Sequence, residues 1–102
     1  MARKKTLLPP TPDGYEKTLK SVAGYYGVSP SQMASPRRTQ DIAWARQVAM
    51  YVLRHKCRLP YKVIGMLLGG RDRSTIVHGI KRVSKEMTAN GTVRVEINGL
   101  LK

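Results

Sequence analysis

The sequence predicts an all-α fold, a small helical bundle containing a helix-turn-helix, and three observations lead there. Apolar residues recur at three- and four-residue steps along most of the chain. Glycines and prolines punctuate these runs where helices must stop or start. Two runs are separated by little more than the Gly69-Gly70 turn, which is the spacing of two helices packed across a tight corner. A chain of 102 residues suits one compact domain with a modest core.

Residues 1 to 13 combine Pro9-Pro10-Thr11-Pro12 with Arg3, Lys4 and Lys5, a composition that cannot offset its own ordering entropy and is expected to form an arm. The domain proper is expected over residues 14 to 88. From Tyr15 to Tyr26, Leu19, Val22, Ala23 and Tyr26 share one helical face, and Gly27 supplies a stop. Ser29 before Pro30 starts a short second helix through Met33, ahead of Ser35-Pro36. A third helix is expected from Thr39 to Lys56, with Ile42, Ala45, Val48, Ala49 and Val52 inside and Arg46, Arg54 and Lys56 outside. Leu59 to Leu68 reads as a fourth, begun by Pro60 and ended by Gly69-Gly70. Asp72 then caps a fifth helix by accepting from backbone N–H groups near Ser74 and Thr75, and that helix runs to Met87. The tail, 89 to 102, contains the alternation Thr92-Val93-Arg94-Val95-Glu96-Ile97 and is expected as one strand that frays or pairs with another chain, a second copy included.

Nineteen Lys and Arg stand against six Asp and Glu, giving +13. Residues 37 to 85 hold twelve of those cations against Asp41 and Asp72 alone, a local excess of +10. Such a patch suits phosphate, because each neutralised phosphate releases condensed counterions. Charge by itself would equally describe a basic protein that binds polyanions without selectivity. Cys57 is the single cysteine, so no intrachain disulfide and no zinc-ligand cluster is expected. No apolar stretch is long enough to span a membrane, and a cytoplasmic, nucleoid-associated protein without membrane partner is expected. Gly65 to Asp72 superficially resembles a phosphate-binding loop but lacks the Lys-Ser/Thr pair that nucleotide and Mg²⁺ require. His55 and His78 have no neighbouring Cys or carboxylate pair to make a nucleophile or base. No catalytic residue, cofactor or metal is expected, and an enzyme is the weakest of the function classes.

The fifth helix is the most informative. Ile76, Ile80, Val83 and Met87 fall on one face, and Ser74, His78, Lys81 and Lys85 on the other, as a recognition helix requires. Any surface helix of a basic protein would carry a similar stripe, so the sequence blocks around it matter. Arg46-Gln47-Val48-Ala49-Met50-Tyr51, Ile64-Gly65, and Gly69-Gly70-Arg71-Asp72-Arg73-Ser74-Thr75-Ile76-Val77-His78 occur in order, with Tyr25-Tyr26-Gly27-Val28 and Arg37-Arg38 upstream. In these blocks the chain resembles the carboxy-terminal DNA-binding domain of the bacterial replication initiator DnaA, over Tyr15 to Met87.

The resemblance implies a helix-turn-helix of the Trp-repressor type reading the DnaA box, with its recognition helix in the major groove and an arginine in the adjacent minor groove. On matching positions Asp72, Ser74, Thr75 and His78 would face bases, and Arg38 would enter the minor groove. Arg46, Arg54, Arg71 and Lys81 would hold phosphates, joined by neighbouring Arg37. Asp accepts from cytosine N4 and a Thr methyl packs on a thymine methyl, so the chemistry suits those roles. Two positions depart from the family pattern. Arg73 replaces its usual histidine at a base-facing position, and Lys62 replaces a common proline and would add a phosphate contact. The initiator's ATPase module and amino-terminal partner-binding domain have no room in 102 residues. The resemblance therefore implies a free-standing DNA binder, chromosomal or phage-encoded, a monomer or weak homodimer, acting in replication control or transcription. The rival is an interaction module that binds the initiator itself, with the tail strand as its adhesive edge.

Overall fold

The computed structural model describes residues 14–102 as six helices, with no strand among them. They are α1 (Tyr15–Tyr26), α2 (Pro30–Met33), α3 (Gln40–His55), α4 (Tyr61–Leu67), α5 (Arg73–Ala89) and α6 (Gly91–Leu101). The arm expected over 1 to 13 lies outside the described residues. Local chemistry sets the boundaries. Gly27, at φ 69°, closes α1 in the left-handed region that favours glycine. Ser29 and Gln32 form a reciprocal capping box at α2, the Ser29 Oγ accepting from the Gln32 N–H at 3.1 Å and the Gln32 Oε1 from the Ser29 N–H at 2.8 Å. Thr39 and Lys56 are the caps of α3 and Pro60 that of α4, so those helices start and end close to their expected limits.

Helix α3 is the axis of the bundle and packs against each of the other five. Val48, Ala49, Val52 and Leu53 are fully buried along it. Val22 and Ala23 of α1, Met33 of α2, Val63 and Ile64 of α4, Ile76 and Val83 of α5, and Ile97 and Leu100 of α6 complete one continuous core. Where α5 crosses α3, Gly79 lies directly on the Met50 sulfur, so a side chain at that position would crowd the contact.

The tail is a correction to the sequence reading. Residues 91 to 101 form helix α6, begun by Asn90, whose side chain accepts from the N–H groups of Thr92 (2.9 Å) and Val93 (3.4 Å). Val93, Ile97 and Leu101 fit a period of two and a period of four alike, but Leu100 continues only the helical spacing. In the structure Ile97 and Leu100 are buried whereas Val95, inside on the strand reading, is 70% exposed. Burial overrides the weak helix propensity of Thr, Val and Ile. The Tyr26 hydroxyl, at the end of α1, donates to Glu96 of α6 and ties the tail down. Burial first, and the Glu96 carboxylate second, push that phenol above its usual range.

Candidate nucleic-acid interface

The turn between α4 and α5 presents the first turn of α5 to solvent. Gly69 and Gly70 have φ values of 90° and 80°, and the N–H groups of Gly70 and Arg71 both reach back to the Gly65 carbonyl, at 2.8 and 3.0 Å. A Cβ on Gly69 would strike the Ala34 carbonyl, which fixes how closely the 34–38 segment lies against the turn. Asp72 caps α5, its Oδ1 accepting the Thr75 N–H at 2.9 Å. That bond holds the Asp72 carboxyl below the usual carboxylate range and keeps it ionised as an acceptor. Arg73, Ser74, Thr75 and His78 are all exposed on the outer side of this turn while Ile76 beneath them is fully buried. All five residues expected at bases therefore occupy one end of one helix.

Arg38 is brought to the same end. It lines a cleft of about 650 Å³ with Ala34, Pro36, Arg46, Gly69, Arg71 and Thr75. A second hollow shares Arg71 and Thr75 and runs on past Gln47 and His78 to Arg82. Thr75 thus has Arg38 on one side and His78 on the other. Arg37 and Lys81 are exposed nearby, and Lys62 is exposed on α4. Arg54 lies at the far end of α3, where its Nη1 donates to the Leu59 carbonyl at 3.0 Å.

Arg46 corrects the expectation that placed it outside α3. It is buried, at 6% exposure, and its guanidinium faces inward across three backbone carbonyls. The Nε donates to Met33 at 2.6 Å, and Nη2 donates to Ser35 at 2.9 Å and Arg37 at 2.8 Å. Arg71, half-buried, donates to the same Ser35 carbonyl at 2.7 Å and also to Leu68. Burial, and then the charge of Arg71, pull Arg46 below the ordinary guanidinium range; burial alone does so for Arg71. The two arginines act as a clamp that fastens the loop bearing Arg37 and Arg38 onto the helix-turn-helix. The signal was present in the spacing, since Arg46 stands four residues after Ile42 and three before Ala49, on the buried face.

Sequence reasoning missed Arg82, Gln47 and Tyr61 at this surface. Arg82, four residues beyond His78 on the same face, donates from Nη1 to Gln47 Oε1 at 2.7 Å and lies over the Trp44 ring. Tyr61 sits beside both Arg54 and Arg73. The helical offset of Arg82 could have revealed it; the other two depend on contacts between helices.

Fold and surface together define a helix-turn-helix DNA-binding domain: a first helix buried at Val63, Ile64 and Gly65, a glycine turn, and a second helix whose exposed first turn is rimmed by cations. Comparison with known proteins identifies which. The model of the bacterial DnaA protein helix-turn-helix matches residues 15–83, and the chain belongs to that family. Among its relatives, the chromosomal replication initiator protein DnaA of Thermomicrobium roseum is 34% identical over 82 residues, covering 80% of this chain and 18% of the relative. DnaA of Lactococcus lactis subsp. cremoris is 34% identical over 85 residues, covering 83% and 19%. The chain thus spans under a fifth of the length of these relatives. A crystal structure of a DNA replication initiation factor superposes with a TM-score of 0.75 at 26% identity, over 83% of this chain and 26% of that one. The family's domain is a DNA-binding rather than a catalytic unit. No described helix is long and apolar enough to cross a membrane.

Proposed function

We propose that this chain is a sequence-specific double-stranded DNA-binding protein that recognises a DnaA-box-like site and acts in the cytoplasm in control of replication initiation or transcription. The observation that carries this reading is the exposed first turn of α5, where Asp72, Arg73, Ser74, Thr75 and His78 stand together with Arg38 on the adjoining loop. In this reading α5 enters the major groove and Arg38 the minor groove beside it. Arg37, Arg54, Lys62, Arg71 and Lys81 take phosphates, and Arg46, with its donors turned to carbonyls, positions the loop. Arg73 prefers guanine, whose O6 and N7 accept a guanidinium fork worth about 1–3 kcal/mol of discrimination. Replacing Arg73 by histidine should therefore shift the preferred base at one position of the site, read by competition among single-base variants.

The rival, an interaction module joined through a tail strand, loses its adhesive edge because α6 is a capped helix packed into the core.

The test is fluorescence anisotropy with a duplex carrying a DnaA box and a scrambled duplex of equal composition, across a salt series. Binding to the box should exceed binding to the scrambled duplex by about a thousandfold or more, and Thr75→Ala or His78→Ala should collapse that ratio. Equal affinity for both duplexes, with one steep salt slope, would overturn box recognition.

A further inference from the structure

Three helices meet at Tyr61, the first residue of α4. Its half-buried ring has the Arg54 guanidinium of α3 at 4.3 Å from the centroid and the Arg73 guanidinium of α5 at 5.3 Å. Arg54 is anchored through the Leu59 carbonyl. Arg73 is exposed and its side chain, among the described residues, makes no hydrogen bond. A long exposed arginine gives up much rotamer freedom when it settles on a base edge, and anything that settles it beforehand favours the contact. The electron-rich face of a tyrosine does so for a cation, and attraction through the ring face uses none of the guanidinium's N–H donors. Those donors remain available for guanine O6 and N7.

We propose that Tyr61 is a positioning residue for base specificity, holding the Arg73 guanidinium over its ring so that the first turn of α5 selects guanine at one position of the DNA site. The inference rests on the DNA-reading function above and adds to it the residue that aims the arginine. Arg54 shares the ring but is held separately by its bond to the Leu59 carbonyl.

The experiment compares the native chain with Tyr61→Phe, Tyr61→Leu, Arg73→Ala and the Tyr61→Leu/Arg73→Ala pair on a preferred duplex and its single-base variants, with thermal melting of each protein. Tyr61→Phe keeps the ring face and should retain the native base ratios. Tyr61→Leu should lower the preference for guanine at one position by about two- to fivefold, the size of an exposed cation–π contact. It should leave the other positions and the scrambled duplex unchanged, and should do nothing further once Arg73 is alanine. Unchanged ratios in Tyr61→Leu would overturn the proposal, as would an equal loss in the Arg73→Ala background. A salt slope smaller by about 0.9 in Arg73→Ala, with no positional effect, would make Arg73 a phosphate contact and overturn it too. A native protein with no base preference at all would instead overturn the reading on which this one rests.

Discussion

Arg46 shows how one side chain can carry a loop. Its three donated bonds replace water for the carbonyls of Met33, Ser35 and Arg37, in a site too buried for solvent to substitute. Arg46→Ala should therefore lower unfolding free energy by about 2–4 kcal/mol in urea, and Arg46→Lys should recover little of it, because a point charge cannot span three acceptors. Arg37→Ala, at an exposed position, should leave the urea midpoint unchanged. Asp72 gives the corresponding prediction in pH. Its carboxyl is held below the unfolded value of about 3.9 by the Thr75 N–H, so the unfolded chain takes up its proton first as the solution is acidified. The stabilisation is present above that value and lost as pH falls through the folded one. Asp72→Asn, which keeps an N-cap acceptor, should flatten this acid limb in urea midpoints measured from pH 6 to 2.

At the scale of elements, the tail is decided by burial. Ile97 is fully buried and Val95 is 70% exposed, although the two stand side by side on the alternating reading. Ile97→Ala should cost about 2–5 kcal/mol and Val95→Ala under about 0.5 kcal/mol, read by denaturant unfolding. Similar small effects at both would show that α6 does not belong to the cooperative unit. The earlier elements are legible in the sequence because their signals are local: Gly27 after α1, Ser29-Pro30 before α2, and Asp72 before α5 each act within one turn of the helix they bound. The tail is ambiguous at that range, since Val93, Ile97 and Leu101 satisfy both periods, Leu100 alone favours the helix, and contact with Tyr26 and the core decides between them.

The whole molecule is a cationic body with the residues proposed to read bases gathered at one end, and charge and selectivity should separate in experiment. Each phosphate contact contributes about 0.9 to the slope of log affinity against log salt. Lys81→Ala should flatten the slope by about that amount on box and scrambled duplex alike, leaving their ratio intact. Thr75→Ala should do the reverse, lowering the ratio at constant slope. A Lys81→Ala variant that altered the ratio would place that lysine at a base instead.

By itself the sequence determined the all-helical class, the order of α1 to α5, the glycine turn and the exposed first turn of α5. Apolar period, caps and breakers are properties of neighbouring residues, and so is the block of motif residues that carries the family resemblance. Only the tertiary structure decided which arginines face outward, what the tail becomes and what Tyr61 touches. The same arginine chemistry suits a phosphate or a carbonyl, and which one Arg46 meets depends on where α2 and its loop lie against α3. The contacts of Arg54 and Arg73 with Tyr61 join three helices, and nothing within a single helix's sequence encodes that meeting.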